Sequence, residues 1–449
     1  MKIAVIGGGL GGLVAARALV RAGIDAQVLE AAPRAGGVIG TTAAEGYVRE
    51  HAASSFLGGP PDGAYALCKD LGVALDKASP RARARWIYLD GKLRALPRSP
   101  IDLIATDLLT WRGKLDLLAE PFRPAGRTGE AGDESMHAFA ARRFGAEAAR
   151  AIVAPFVTGV YAADAHDISL PAGFPRIAAL DARGGVVRGM LAQAVRGLGD
   201  RLRGVASVST PRGMWAPVGG VGALTAALAG ELGSRVRCGE RVTQIEPADG
   251  CVAIDGSRWD GAVLAIPAED AVGLVAGPRA ASLGHRLAGF HRAPAAQVYL
   301  GFPAGAVPRA ADGFGALVAI GEDVRVLGVV FESTVWPDRA PAGHVLLRCI
   351  YGGGRDPEAT ALDDAALIAQ AVRDVAVVLG ATGAPSHTSV VRWKRGVAQY
   401  TLGHQDRVRD AVAAARSQRI ALAGADYRGP GLNDLCADGA AVVAEVRAW

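Results

Sequence analysis

The chain has 449 residues, 50% hydrophobic and 21% charged, with 49 Lys+Arg against 44 Asp+Glu for a net charge of +5. That balance excludes a disordered chain, which needs low hydrophobicity and high net charge, and a charge this small on so long a chain does not point to nucleic acid. The 60 glycines follow no G-X-Y period, which excludes collagen and implies turns and close backbone approaches.

Ile3 to Ile6 reads as a short buried strand, Gly7-Gly8-Gly9-Leu10-Gly11-Gly12 follows at once, and a helical pattern runs from Leu13 through Ala22. This is G-x-G-x-x-G in its strand–turn–helix context. Gly7 permits the tight turn, Gly9 lets backbone approach a pyrophosphate, and Gly12 lets the helix pack on the strand. The helix N-terminus offers unpaired N–H groups to the phosphates. A second strand, Ala26 to Leu29, ends in Glu30, placed to accept adenosine ribose hydroxyls.

The next residues, Ala31-Ala32-Pro33-Arg34-Ala35-Gly36-Gly37, resemble the E-x-x-x-R-x-G-G segment of amine-oxidase and phytoene-desaturase flavoproteins. The resemblance implies FAD, bound noncovalently because no residue stands out as an attachment point. Arg34 then faces the flavin-side phosphates, and Gly36, Gly37 and Val38 pass close to the cofactor.

Arg85 to Pro97 reads as a β-hairpin turning at Asp90-Gly91. Pro100 to Gly204 reads as mostly helical, with Gly126 to Gly132 as a mobile loop. Strands are expected at Arg241–Glu246, Val298–Leu300, Leu317–Ile320, Val324–Phe331 and Val345–Ile350, and a helix over Asp363–Leu379. Ile420 to Ala423 reads as a final strand, and Asn433 as the cap of a helix running through Ala440 to Val446. That helix end would stabilise negative charge at the flavin N1/O2 edge.

Several segments, in this order, resemble the protoporphyrinogen oxidase family: Pro155-Phe156-Val157-Thr158-Gly159-Val160-Tyr161, Asp312-Gly313-Phe314-Gly315, Arg392-Trp393, Gln399-Tyr400, Ala423-Gly424-Ala425-Asp426 and Gly431-Leu432-Asn433-Asp434. The resemblance covers most of the chain. It implies an α/β fold in which a Rossmann-type FAD-binding domain (residues 1–80, 205–285 and 386–449) is interleaved with a mixed-sheet substrate domain (81–99 and 286–385) and a helical membrane or substrate-entry domain (100–204).

The activity it implies is oxygen-dependent oxidation of protoporphyrinogen IX in haem biosynthesis, by hydride transfer to FAD with release of hydrogen peroxide. The flavin carries the chemistry, so no side chain is assigned as catalytic. The motif and the resemblance together assign to FAD Gly7, Gly8, Gly9, Leu10, Gly11, Gly12, Glu30, Arg34, Gly36, Gly37, Val38, Ala52, Ala53, Ser54, Ser55, Val242, Ala425, Asp426, Pro430, Gly431, Leu432 and Asn433. The resemblance assigns to the substrate Arg85, as partner of a propionate, and Gly159, Phe314, Leu317, Val330 and Ile350 around the macrocycle. By themselves these residues read equally well as surface arginine, turn glycine and sheet core.

The sequence departs from the family pattern at Ala52-Ala53, where Gly-Pro usually faces the flavin, and at Ala398, where Pro often precedes Gln-Tyr. Coproporphyrinogen III oxidase of the same fold, a more remote amine oxidase or carotenoid desaturase, and a catalytically silent FAD carrier stay open as alternatives. Lys394 is the sole late-chain candidate for the lysine that amine oxidases place near the flavin.

The five cysteines, Cys68, Cys238, Cys251, Cys349 and Cys436, form no C-x-x-C pair; no disulfide scaffold or metal site is expected, and a reducing, cytoplasmic setting fits. No signal peptide is expected ahead of the first strand. The apolar stretch Ile101–Trp111, continued by Leu115, Leu117-Leu118 and Phe122, suits either a membrane surface or a packed helix. The expected partners are a porphyrinogen and dioxygen, with room for peripheral membrane contact and a homodimer.

Overall fold

The computed structural model describes residues 1–124, 133–190, 192, 195–196 and 211–449. The expected loop at 126–132 lies outside the described residues. The chain divides into two units: Met1–Ala78, Thr210–Arg292 and Asp406–Trp449 form one, and Ser79–Ser209 with Ala293–Gln405 form the other.

The first unit is built on a five-stranded parallel sheet in the order Val236–Cys238, Asp25–Glu30, Lys2–Ile6, Gly261–Leu264, Ile420–Leu422. Parallel neighbours need crossovers, which is why three separated stretches of chain supply its strands. Successive side chains point to opposite faces, and both faces are covered. Ile3 and Val5 join one core with Leu13, Leu19 and Leu228, whereas Ala4 and Ile6 join another with Val252, Leu283 and Ala411. Burial on both sides explains why the first strand is continuously apolar rather than alternating.

The second unit holds a seven-stranded mixed sheet in the order His387–Ala398, Arg292–Pro303, His344–Gly352, Gly328–Phe331, Gly315–Val318, Arg85–Leu89, Lys92–Ala95. Gly315–Val318 and Arg85–Leu89 run parallel, and the hairpin closes through Asp90 (φ 51) and Gly91 (φ 70) as expected. One face packs Val298, Leu300, Phe331, Leu347 and Cys349 against Leu367, Ala371 and Val375 of the helix Asp364–Leu379. Asp363 caps that helix through Ala366 N (2.8 Å). The other face carries Arg85, Ile87, Leu317, Val330, Arg348 and Ile350. Helices from residues 100–181 pack near it, with Ile87 and Leu89 sharing a core with Leu108, Leu109, Ala148 and Ala151.

Several expected boundaries move. Residues 386–405, expected with the nucleotide domain, lie in the second unit, because His387–Ala398 is the edge strand of the seven-stranded sheet. The helical segment and the mixed sheet are one unit rather than two domains. The strand expected from Val324 begins at Gly328, since the Val326 amide donates to the buried Asp374 carboxylate (3.0 Å) instead of a neighbouring strand. The strand expected over Arg241–Glu246 begins at Ile245, because Asp255 Oδ1 accepts from the amides of Thr243 (3.0 Å) and Gln244 (2.9 Å).

Candidate active site

In the first unit, Gly9 stands as N-cap of the helix Leu10–Arg21, and no side chain caps that end. Its first N–H groups and positive dipole end are therefore available to an anion. Gly7 takes φ +102 and donates its amide to Leu29 O (2.9 Å), making the tight turn out of the strand. A Cβ on Gly12 would lie 2.0 Å from Gly7 O, so the helix can start there only without a side chain. A Cβ on Gly9 would meet nothing nearer than Gly37 Cα at 4.0 Å, leaving an open cradle that a side chain would fill. These residues fit the pyrophosphate of a dinucleotide.

Two loops close on the cradle. Gly36 (φ +116) donates to Gly8 O at 2.7 Å, and Gly37 takes φ +58. A Cβ on Gly11 would lie 3.1 Å from Gly424 Cα, so the absence of a side chain admits the late loop. Val38, Ala52, Ala53 and Ser55 are half-buried and Ser54 is buried, with Ala52 and Ala53 packed on the core beneath the helix.

Four expected cofactor residues have other commitments. Glu30 Oε2 accepts from Gly8 N (2.6 Å) and Oε1 from Ala32 N (2.7 Å), so the carboxylate first fixes the glycine turn; each oxygen keeps a lone pair for a ribose hydroxyl. Arg34 donates to the carbonyls of Ile39 (3.0 Å), Ala35 (3.2 Å) and Gly37 (3.2 Å), which makes it the brace of the Gly36–Gly37 turn. Asp426 is buried, accepting from Ala268 N and Arg292 Nε at 2.8 Å each. Val242 is buried in the core beyond the sheet rather than placed on a strand.

Asn433 does not cap its own helix. Gly431 is the N-cap of Leu432–Ala437, and Asp434 Oδ2 accepts from Gly431 N (3.1 Å). Asn433 instead caps a neighbouring helix, Ala64–Asp70: its Oδ1 accepts from Ala64 N (2.9 Å) while Nδ2 donates to Leu57 O (2.8 Å). The expected helix is also broken, with Gly439–Arg447 following as a second one. Gly439 packs where a Cβ would come 2.8 Å from Ala18 Cβ, which holds this second helix tightly on Leu10–Arg21. Ala425 and Gly431 are half-buried, Pro430 is exposed and Leu432 is buried.

Sequence reasoning missed two supports. Buried Glu50 accepts from Val221 N (3.0 Å) and Thr41 Oγ1 (2.6 Å), and Thr41 Oγ1 in turn accepts from Gly222 N (3.0 Å). Behind the late loop, Arg428 bridges Glu445 and Asp438, the latter at 3.1 Å. Burial pushes the Asp438 carboxyl up to about 6, against the opposing pull of Arg428. Val221 and Gly222 lie 171 and 181 positions from the Glu50 and Thr41 side chains they meet, so no local signal marks that brace.

In the second unit the expected substrate residues do come together. Arg85 pairs in register with Gly315, which pairs with Val330; Ile87 pairs with Leu317, which pairs with Gly328, which pairs with Ile350. Period-two geometry therefore puts Arg85, Leu317, Val330 and Ile350 on one face. The two glycines between them leave its floor without side chains. The exposed Arg85 guanidinium lies 5.4 Å from the Phe314 ring centroid and makes no ion pair among the described residues. Gly159, in the helix Ala154–Tyr161, abuts Leu317. An apolar floor with one available guanidinium is chemistry suited to a flat, carboxylate-bearing ligand.

Residues 10–440 match the family model described as flavin containing amine oxidoreductase. The chain is 26% identical to the coproporphyrinogen III oxidase of Bacillus subtilis (strain 168), over 99% of this chain and 97% of the relative. It is 30% identical to the chloroplastic protoporphyrinogen oxidase of Oryza sativa subsp. japonica, over 91% of this chain and 81% of the relative. The fold matches a crystal structure from Exiguobacterium sp. 255-15 with TM-score 0.82 at 22% identity, covering 100% of this chain and 98% of that one. The glycine cradle and these matches agree: the chain belongs to the flavin containing amine oxidoreductase family, in its protoporphyrinogen oxidase branch, and is an FAD-dependent oxidase.

Proposed function

We propose that the protein oxidises protoporphyrinogen IX to protoporphyrin IX, with dioxygen as final acceptor and hydrogen peroxide as the reduced product. The observation that carries this reading is the sheet face on which Arg85, Leu317, Val330 and Ile350 meet with Gly159. FAD, when bound, supplies the hydride acceptor for each two-electron step. The chain's own residues bind and orient. Arg85 pairs with a propionate, and Leu317, Val330 and Ile350 provide apolar surface for the ring. Gly315 and Gly328 keep the floor low enough for a flat macrocycle to lie on it. In the first unit, Gly7, Gly9 and Gly12 with the uncapped helix end hold the pyrophosphate, while Glu30, Arg34 and Asn433 hold the backbone that surrounds the cofactor.

A second reading, oxidation of coproporphyrinogen III, is favoured by the near-complete overlap with the Bacillus subtilis relative. One assay tests both. The purified yellow protein is given each porphyrinogen in air, and porphyrin fluorescence is followed. Fluorescence rising no faster than in a protein-free control on both substrates would refute an oxidase of either kind.

We also propose peripheral membrane contact through the helices Pro100–Ala105 and Trp111–Leu118. Ile104, Trp111, Leu115, Leu118 and Phe122 are exposed there, Phe122 to 83%. Such contiguous exposed apolar groups with a Trp and an adjacent cation suit a bilayer interface. No helix among the described residues is long and apolar enough to cross a membrane. Cosedimentation with anionic liposomes tests the contact, and full recovery in the supernatant refutes it.

A further inference from the structure

Arg355 is half-buried just beyond the turn Gly352-Gly353-Gly354, and the one polar contact of its side chain among the described residues is Nη1 to Val318 O at 3.5 Å, long for an N–H···O bond. Two carboxylates act on it from a distance, and both are committed elsewhere. Asp356 takes Arg325 in a bidentate pair, 2.7 Å at each oxygen. Asp164 Oδ1 accepts from His166 N (2.9 Å) and lies 2.7 Å from His166 Nδ1. No carboxylate among the described residues is paired with Arg355 itself. Burial accordingly holds its pKa below the ordinary arginine value. Removing a guanidinium from water without a partner is unfavourable, and the buried Arg348 and Arg143 on the same unit both have one.

Its position relates it to Arg85. Val318 ends the strand Gly315–Val318, and Gly315, which starts it, is the register partner of Arg85. The Arg355 loop is pinned to the end of the helix Ala154–Tyr161, since Gly354 N donates to Ala162 O at 2.7 Å. That is the helix whose Gly159 abuts Leu317. Gly315, the register partner of Arg85, and Val318, whose carbonyl Arg355 reaches, thus stand at opposite ends of one strand, roughly 10 Å apart along it at about 3.3 Å per residue, with Leu317, which Gly159 abuts, between them.

We infer that Arg355 is a second carboxylate anchor, opposite Arg85, and that it favours a porphyrinogen carrying carboxylates on both sides of its ring. This rests on the reading of the protein as a porphyrinogen oxidase and deepens it toward the second of the two substrates named above, coproporphyrinogen III. Coproporphyrinogen III bears a propionate on every pyrrole. Protoporphyrinogen IX keeps propionates on two neighbouring pyrroles and presents vinyl groups on the other two. Arg85 alone serves the side that both substrates share. A guanidinium at the far side finds an ion-pair partner only on the tetracarboxylate.

The test compares the natural chain with Arg355→Met and Arg355→Lys, each purified with FAD and checked for flavin content and thermal midpoint. Arg355→Met is expected to lower the ratio of kcat/KM for coproporphyrinogen III over that for protoporphyrinogen IX by about tenfold or more, the loss of one charge-assisted hydrogen bond. Arg355→Lys should restore part of that ratio. Titration with the oxidised products, coproporphyrin III and protoporphyrin IX, followed by porphyrin fluorescence, reads binding without turnover and should show the same selective weakening. A ratio that holds within about twofold, or equal weakening of both porphyrins, overturns the anchor. If the natural chain oxidises neither porphyrinogen, the functional reading falls and the anchor with it. If it oxidises them and the ratio does not move, only the anchor falls.

Discussion

Gly159 and Leu317 meet so closely that a Cβ on the glycine would lie 2.7 Å from Leu317 Cδ2. The helix Ala154–Tyr161 therefore rests on the strand Gly315–Val318 with Leu317 undisplaced only because residue 159 has no side chain. Leu317 is held in place from above and presents its apolar surface on the face it shares with Arg85, Val330 and Ile350.

Gly159→Ala should separate stability from function. The Leu317 side chain can swing aside, and alanine gains about 1 kcal/mol of helix propensity over glycine, so the thermal midpoint should stay near that of the natural chain. The displaced leucine should raise the porphyrinogen KM severalfold. Initial-rate kinetics beside a melting curve check this, and a collapsed midpoint would instead mark Gly159 as a packing residue only.

Arg85→Ala should weaken substrate binding by about tenfold to a hundredfold, as expected for a charge-assisted contact, without changing the flavin absorbance spectrum. The guanidinium lies over the Phe314 ring, so some loss of local packing accompanies the loss of charge. Arg85→Lys should recover part of the binding, which a purely structural role would not predict. Unaltered turnover at low porphyrinogen concentration would remove Arg85 from the site.

Asn433→Ala leaves Ala64 N and Leu57 O without their partner. The expected loss is about 1–2 kcal/mol, the range for a helix cap with a second hydrogen bond. Urea denaturation of the holoprotein measures it. Because Asn433 ties the late loop to the helix Ala64–Asp70, flavin retention on gel filtration should fall as well. A variant that keeps both its midpoint and its flavin would show the cap to be dispensable.

Asp438 should leave a signature in the pH dependence of stability. Its folded pKa is raised, mainly by burial, to about 6. The folded state then binds a proton that the unfolded chain, titrating near 4, has already released. Stability from this group is complete below the unfolded value and is lost as pH rises through about 6, on the order of 3 kcal/mol in all. The difference in thermal midpoint between the natural chain and Asp438→Asn should therefore change between pH 4 and 6 and stay level above about 7. A difference that is flat across that window would contradict the raised carboxyl.

The nucleotide cradle was legible because its parts are local. Gly7 through Glu30 span one strand–turn–helix–strand unit, and each glycine is required by backbone close at hand: Gly12 by Gly7 O, Gly36 by Gly8 O. The hairpin at Asp90-Gly91 and the helix after Asp363 were legible for the same reason, since turn and cap chemistry act over a few residues. Asn433 is a capping residue as its position suggests, but the helix it caps is not its own, because the amide it meets belongs to Ala64. The resemblance gives Arg34 to the flavin-side phosphates, and the structure adds that its guanidinium donates to the carbonyls of its own loop, which no local pattern announces.

The sequence by itself determined the nucleotide motif, the two-face burial of its central strand and the family to which the segments belong. Local sterics and hydrophobic period leave those features little choice. Only the tertiary structure decided that residues 386–405 complete the seven-stranded sheet, that Glu50 and Asp438 brace the loops of the first unit, and that Arg85 and Arg355 meet the two ends of one strand. Strand order, register and the partners of buried charges are set by contacts that reach beyond any local window, from 37 positions for Arg355 and Val318 to 171 for Glu50 and Val221, and no local pattern encodes which residues will meet.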